Sequence, residues 1–586
     1  MPEITQTMST NTMINLDIVI PVYNAKDCVE RLIDSIKNLI DGEFNTINTN
    51  VYIVDDASNE ETKCYLRTIV SDNIFLIEND INKGYTVTLN KGMRSGVGKY
   101  VLQLNSDVEV ASNSIRKMLN HMESHPQLFA ISPLSNAASW QSIPDLFDPS
   151  GGMAVNNLLP GLTIEEMDAF CEIYGSGLAL TQLLNGFCVL YRREVLEVLN
   201  FADELRFPRG YGEEDDLHLR AANLGYQLAI CTDCYVYHRK TQSFTSDQKR
   251  TLSHQGRIKL NESFGSSRVK EVVESLRVHP KLNRIRIASQ AFNNNHTEAM
   301  KQYLNIDWLS SMKYRDEDLI SIIMPAYKGA ELTKKTIETL LISLDERLNY
   351  ELIVVLNGCD FETKDAVNKL SLKHKFKVVK LKTNLNFSMG CNIGYLNSKG
   401  SKLIFVNNDM VFDKNEWAVS ISKALDLEGI GCASVKLCYE DSTVQSAGFV
   451  WSNCSFFPLE IYKNLKSSEL SSYAILDGVT GACLGIKSFN FAKVKGFDPI
   501  FINGSEDIDL CLKLRVNLNL KSYVDYDSHV VHLESKSPNR AVHILPNRRY
   551  FYQIWNGAIS KVARDFGNRI VQNDHLPKPI SMFKFR

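Results

Sequence analysis

The chain repeats itself at long period. LDIVIPVYNA at 16–25 returns as LISIIMPAYKG at 319–329, which carries Pro21 onto Pro325, 304 residues later. NSDV at 105–108 returns as NNDM at 407–410, carrying Asp107 onto Asp409. NGFC at 185–188 returns as TGAC at 480–483, and GEEDDLHLR at 212–220 as SEDIDLCLK at 505–513. Last, His238 with Ser243 five residues on returns as His532 with Ser537. Each block alone is weak. Five in the same order, with the offset drifting only from 304 to 293 residues, require two homologous domains of roughly 250 residues each.

Within each copy the pattern is α/β. Apolar runs such as IVIPV, VYIVDD and YVLQLN suit buried parallel strands. Between the first two, Val29, Leu32, Ile33, Ile36, Leu39 and Ile40 recur at helical spacing, as do Leu332, Ile337, Leu340, Leu341 and Leu344 in the second copy. Strand, helix, strand implies right-handed crossovers and a parallel sheet, with ligands at the carboxyl ends of its strands, where VDDAS (54–58) and NSD (105–107) fall. The boundaries expected are a polar tail over 1–15, domains over 16–261 and 316–545, a polar helical connector over 262–315 and a C-terminal helical tail over 546–586.

Composition narrows the class. A net charge of −3 argues against a protein that coats nucleic acid. No apolar run approaches the ~18 residues of a membrane span, and the polar N-terminus has no secretory apolar core, so a cytoplasmic location is expected. Thirteen scattered cysteines read as reduced thiols. Cys231 and Cys234 form a lone CxxC in LAICTDCYVYH; without a second pair of suitable spacing they read as two core thiols and not as a metal site. No GxGxxG follows a strand and no GxxxxGK[ST] occurs, so dinucleotide and P-loop readings lack support.

Asp107, with Asn105, places a carboxylate at the end of an apolar strand, where hard oxygens suit Mn²⁺ or Mg²⁺. A single NSD would be a turn; its recurrence as Asn407-Asn408-Asp409 favours a site. Glu213, Glu214, Asp215 and Asp216 lie just before a helical pattern, where acids meet a positive helix terminus. So many carboxylates repel unless a cation or a reacting proton engages some of them. The second copy keeps Glu506, Asp507 and Asp509 but has Ile508 in the third slot. His238 and His532, in equivalent positions, read as metal or phosphate contacts.

These blocks resemble the inverting family-2 glycosyltransferases of GT-A fold, in two tandem copies spanning nearly the whole chain. The resemblance rests on IPVYNA, VDDAS, NKGY, NSD, NGF, GYGEEDD and HRKTQS in copy one, and on MPAYKG, LNGC, NFS, NND, TGAC, SEDID and HLESKS in copy two. It implies two Rossmann-like nucleotide-diphospho-sugar transferase domains. Donor contacts would come from Pro21, Tyr23, Asn24, Asp55, Asp56, Lys83, Gly84 and Asn105, and in copy two from Pro325, Tyr327, Asn357 and Asn407. The metal would be held by Asp107 with His238, and by Asp409 with His532. The base would be Glu214 or Asp507, with Glu213 and Glu506 close seconds, and Gly186, Asp216, Gly481 and Asp509 would face the acceptor. Donors linked to UDP, GDP or dTDP, a glycan or lipid-linked glycan acceptor, and peripheral contact with the inner membrane follow as family expectations. The aromatic-basic tail NRRYFYQIWNGAISKVARDFGNRI could pack on domain two or touch an anionic membrane, and TQSF with that tail is similar to rhamnosyl- and O-antigen-type transferases.

Copy two departs where Asp55-Asp56 becomes Leu356-Asn357. Leucine accepts no hydrogen bond, so the donor grip there is expected to differ. Two readings stay open: a bifunctional enzyme building a cell-surface polysaccharide of O-antigen or capsule type, or one catalytic domain followed by a glycan-binding or assembly module. A nucleotidyltransferase ranks third, because no Gly- and Arg-rich triphosphate loop is present. The loops over 141–180 and 439–475, which diverge between copies, are expected to carry acceptor choice.

Overall fold

A computed structural model describes residues 13–41, 46–240, 246–293, 297–312, 315–414, 416–451, 458–533 and 540–564. Ser243, Ser537 and the TQSF segment lie outside the described residues, as do most of the N-terminal tail and residues 565–586. The chain divides into two compact units, 1–293 and 294–586.

The first unit is built on strands β1 (Ile14–Val22), β2 (Ile47–Asp55), β3 (Ile74–Glu78), β4 (Tyr100–Leu104), β5 (Val108–Val110), β6 (Leu128–Leu134), β7 (Leu178–Thr181), β8 (Cys188–Arg192) and β9 (Gln227–His238). They form one sheet in the order β3-β2-β1-β4-β8-β6-β9-β5, with β7 also on β9. From β3 to β4 the pairing is parallel, as the apolar runs imply. Beyond β4 it is mixed: β8 runs antiparallel to β4 and β6, and β5 and β7 antiparallel to β9. The expected parallel sheet therefore holds for only half of each unit. In the other half some strands return through loops without a crossover helix, and such strands are free to run either way.

The second unit repeats this with β10 (Asp316–Ala326), β11 (Tyr350–Asn357), β12 (Lys377–Leu381), β13 (Gly400–Val406), β14 (Met410–Val411), β15 (Ile430–Cys438), β16 (Val444–Ser446), β19 (Tyr473–Leu476), β20 (Cys483–Lys487) and β21 (Lys521–His532). A separate ribbon pairs β17 (Phe449–Val450) with β18 (Leu459–Glu460). The order β12-β11-β10-β13-β20-β15-β21-β14 matches the first sheet strand for strand.

The helical stripe read after β1 becomes the helix Lys26–Ser35 and a short turn, Lys37–Ile40, which bury Val29, Leu32, Ile36 and Leu39 against the sheet. Each such side chain contributes about 1.5–3 kcal/mol when fully buried. In the second unit Ile337 and Leu340 of the helix Ala330–Ser343 do the same. The segment read as a connector does not stand apart. Arg286 donates to Ser142 O and Trp140 O in the first unit, while Tyr303 Oη donates to Lys495 O in the second. The C-terminal helix Arg540–Arg564 buries Phe551 and Trp555 against the second unit, where Trp451 stacks on Phe551. Those aromatic rings are thereby committed to packing and are not offered to a membrane. No helix among the described residues is long and apolar enough to cross one.

Candidate active site

The residues singled out in the sequence converge where β4 ends. Asp107 leads into β5, which pairs antiparallel with the end of β9 so that Val108 lies opposite His238. This register places Asp107 Oδ1 3.3 Å from His238 Nε2, although 131 residues separate the two. His238 Nδ1 lies 2.9 Å from the Ala137 carbonyl, which can only accept, so Nδ1 donates there and Nε2 is the nitrogen turned toward Asp107. The ring stacks on Phe187 at 5.4 Å, and Asn136 fixes its backbone through two hydrogen bonds. The second unit reproduces the pair: Asp409 Oδ1 is 3.2 Å from His532 Nε2, and His532 Nδ1 is 2.7 Å from Gln445 Oε1. A carboxylate oxygen facing an imidazole nitrogen, repeated in both units, is a donor set that suits a divalent cation.

The acidic run opens the helix Glu213–Asn223, and the second opens the helix Glu506–Leu518. Its four acids divide by environment. Asp216 is pinned by Arg206 at 3.2 Å and Arg220 at 2.7 Å, and Asp509 by Lys513 at 2.7 Å and Trp555 Nε1 at 2.8 Å. Both are buried in these pairs, which hold the helix in place. Burial, then the charge and hydrogen bond of Glu214, push the Glu213 carboxyl far above the ordinary range. Glu213 is thereby biased toward its neutral form beside Glu214. Burial and the same Glu214 charge raise Asp215 to about 8. In copy two Glu506 accepts from Gly504 N, and Asp507 from Gly481 N at 2.9 Å.

The glycines of NGF and TGAC make room for these acids. A Cβ on Gly186 would lie 3.5 Å from the Glu214 carboxyl group and 3.1 Å from Gln103 Nε2, and one on Gly481 3.2 Å from Asp507 Cβ. In the first unit a polar chain links the two halves of the site. Tyr85 Oη donates to Asn105 Oδ1 at 2.8 Å, and Gln103 Nε2 donates to Tyr85 Oη and to Gly186 O. Sequence reasoning missed Tyr85 and Gln103. The available signal was a glutamine inside the otherwise apolar run YVLQL, buried two residues before Asn105. At the same 302-residue offset that carries Asp107 to Asp409, the second unit has Phe387 and Phe405, so it lacks this chain; there Asn407 Nδ2 instead lies 3.4 Å from His532 Nε2.

On the donor side Pro21 and Pro325 are embedded in the sheet, paired with Val54 and Val355, while Tyr23 and Tyr327 stand exposed at the strand ends. Asn24 clamps the next turn, its Oδ1 accepting from Asn59 N and its N–H donating to Ser58 Oγ. Asp55 is fully buried and accepts from Ser58 N. Asp56 holds the loop before the helix Tyr85–Ser95 by accepting from Asn79 Nδ2, Lys83 N and Gly84 N at 2.8–2.9 Å. Gly84 needs to be glycine: its φ is +91° and a Cβ would lie 2.4 Å from Pro208 O. Asn357 has the task of Asp56 in copy two, accepting from Leu385 N and donating to Asn386 O. Leu356 is buried in the core. The visible difference at Asp55 and Leu356 is thus in how a turn closes, since neither side chain reaches the surface.

A family model for glycosyl transferase family 2 matches residues 17–199 and again 321–472. The chain belongs to this family, and its two units are GT-A domains. Among relatives, it is 29% identical over 210 residues to the uncharacterized protein y4gI of Sinorhizobium fredii, a match over 34% of this chain and 22% of that protein. It is 22% identical over 249 residues to the O-antigen biosynthesis protein RfbC of Myxococcus xanthus, over 41% and 19% of the two chains. The chain thus spans about a fifth of the length of each. A third relative, 26% identical over 117 residues, 20% of this chain and 45% of that one, is the UDP-Glc:alpha-D-GlcNAc-diphosphoundecaprenol beta-1,3-glucosyltransferase WfaP of Escherichia coli. Among solved structures, the mannosyltransferase PcManGT of Pyrobaculum calidifontis, in complex with GDP-Man and Mn²⁺, aligns at 17% identity and a TM-score of 0.32, over 48% of this chain and 74% of that one.

Proposed function

We propose that both units are inverting, nucleotide-sugar-dependent glycosyltransferase domains that add two sugars, or one sugar in two linkages, to a growing cell-surface polysaccharide. The observation that carries this reading is the recurrence of a complete set in each unit: an aspartate–histidine pair at the strand ends, and a carboxylate beneath a glycine beside it. The exposed Tyr23 and Tyr327 would stack on the donor's base. Asp107 with His238, and Asp409 with His532, would hold Mn²⁺ or Mg²⁺. Such an ion, when bound, neutralises the charge that develops on the leaving nucleoside diphosphate. Glu214 is the base of the first unit: its Oε2 is buried without a hydrogen-bond partner among the described residues, and its carboxyl group lies under Gly186. It takes the proton of the acceptor hydroxyl as that oxygen attacks the anomeric carbon from the face opposite the leaving group. Asp507 has the same part in the second unit. The relatives named for O-antigen biosynthesis and for transfer to a lipid diphosphate support a surface glycan, met at the cytoplasmic face of the membrane, as the acceptor.

The test is nucleotide release and product linkage from a panel of UDP-, GDP- and dTDP-sugars with Mn²⁺ and a glycan acceptor. Glu214→Gln and Asp507→Asn should each abolish a different transfer. The loss of the Tyr85–Gln103 chain in copy two favours a second reading, in which that copy only binds glycan. Unchanged transfer in Asp507→Asn and Asp409→Ala, with weakened glycan binding, would establish it.

A further inference from the structure

The CxxC of β9 was read from sequence as two core thiols. In the fold it gains two further donors. β9 bulges after Cys231: Pro133 pairs with Cys231 but Leu134 with Tyr235, so Thr232–Cys234 loop out of the ladder. The bulge turns both thiols to one side, with the sulfurs 2.7 Å apart. Asp233 accepts from Cys231 Sγ at 2.8 Å and lies 2.9 Å from His121 Nε2, on the helix Ser114–Ser124. The ligand atoms of His121, Cys231 and Asp233 all lie within 4.8 Å of one another.

We propose that Cys231, Cys234, His121 and Asp233 form a structural site for a thiophilic divalent cation, Zn²⁺ being the natural occupant, separate from the Asp107–His238 pair. Two sulfurs, one imidazole and one carboxylate are a tetrahedral zinc donor set. Metal–ligand bonds of about 2.0–2.3 Å put donor atoms roughly 3.3–3.8 Å apart, so loading parts the two sulfurs by about 1 Å and draws Cys234, which meets the group of three through Cys231, toward His121 and Asp233. The entry path is on hand: the His121 and Asp233 side chains each keep 22% of their exposure, while both thiols lie behind them at 0%. The protein alone stores the sulfurs as thiols, since burial pushes Cys231 well up. Loading forms two metal–sulfur bonds and releases two protons to solvent, with no change of oxidation state. Two thiolates and a carboxylate leave one negative charge beyond the ion's two positive ones. The Lys117 ammonium, bonded to Asp233 O at 2.7 Å, lies beside that excess.

The second unit is the internal control. β21 bulges at the same place, Val435 pairing with Asp525 but Lys436 with His529. There the bulge closes on a carboxylate: Asp525 accepts from Asp527 N, Ser528 N and Ser420 Oγ at 2.7–3.2 Å, the last from the corresponding helix. Cys231 stands where Asp525 does, seven residues before the terminal histidine, so the first unit has a metal-ligand pair where its twin has a hydrogen-bonded turn. The ion would tie the helix Ser114–Ser124 to the strand that ends in His238.

The full-length chain, reduced and stripped of metal, should be titrated with Co²⁺. One equivalent should develop thiolate-to-cobalt charge-transfer absorption that Zn²⁺ then displaces. This band should vanish in the Cys231→Ser/Cys234→Ser double variant and persist in Asp107→Ala and Asp409→Ala, whose lost ligands are oxygens. His121→Gln, a partly exposed position that leaves the packed thiols intact, should weaken Co²⁺ binding at least tenfold. X-ray absorption of the zinc-loaded wild-type chain should show two sulfur ligands, which guards against a double variant that misfolds. The proposal is overturned if no thiolate band forms, if the zinc shell has no sulfur, or if the untreated native chain yields two fewer titratable thiols than its thirteen cysteines because the pair is a disulfide.

Discussion

Replacing Asp56 by asparagine tests whether the paired acids at the end of β2 touch a donor or shape the loop that does. Asp56 Oδ1 accepts from Asn79 Nδ2 and Lys83 N, and Oδ2 from the buried Gly84 N. In Asp56→Asn the amide keeps its oxygen toward the first two and turns its NH₂ group onto Gly84 N, donor against donor. The lost hydrogen bond to a charged group costs about 1.5–3 kcal/mol, and the stranded N–H about 1 kcal/mol more. A total near 3 kcal/mol is roughly a hundredfold in the local opening equilibrium, at about 1.4 kcal/mol per tenfold. Hydrogen exchange at Lys83 and Gly84 should therefore quicken by about two orders of magnitude, with the distant strands unchanged. Copy two supplies the mirror experiment, because Asn357 sets its NH₂ against Asn386 O. There Asn357→Asp keeps the bond from Leu385 N but sets a carboxylate oxygen against Asn386 O, and should quicken exchange in the turn that follows. Wild-type exchange at Lys83 and Gly84 in Asp56→Asn would show that the carboxylate does not hold this loop, and would return it to the role of a direct donor contact.

Asp17→Ala should destabilise the first unit by about 3–5 kcal/mol in denaturant melts, because it strands Arg193, buried and paired with Asp17 at 2.7 Å. Asp215, raised to about 8, holds in the folded chain a proton that the unfolded chain releases, so it lowers stability as pH rises from about 4 to 8. Asp215→Asn should flatten that slope and gain on the order of 1–2 kcal/mol at the upper end, measured by melts across the pH range; an unchanged slope would count against a raised carboxyl at this half-buried position. Gly186→Ala crowds Gln103 and Glu214 from 3.1 and 3.5 Å, and should lower the turnover of one transfer by about tenfold at nearly constant melting temperature. Trp555→Phe removes one hydrogen bond to Asp509 and should cost about 1 kcal/mol in the second unit alone.

The repeat and the local apolar runs made much of this architecture legible. β1, β2 and β4 lie where the apolar segments put them, and the identical strand order of the two sheets is the structural form of the repeated motifs. The pairing of Asp107 with His238 was also readable, since two residues recurring together in both copies point to a shared neighbourhood. What stayed hidden depends on partners that carry no motif. Arg206 comes from a loop and turns Asp216 into a scaffold residue, though in the sequence it looks like one more acid. The change of Asp55-Asp56 to Leu356-Asn357 reads in sequence as an altered donor grip at the leucine; the structure puts the Asp56 and Asn357 side chains on the loop before the next helix. The mixed half of the sheet was misread as parallel because buried strands of either sense are equally apolar.

Every group of the candidate site in the first unit comes from within that unit, and the same holds in the second. Duplication therefore copied a whole apparatus and did not split one between halves. Each copy was then free to drift by itself, as Tyr85 against Phe387, Asp215 against Ile508 and the thiol bulge against Asp525 record. A chain of this construction is modular in an evolutionary sense: either half could be exchanged for a homologous unit without rebuilding the site of the other.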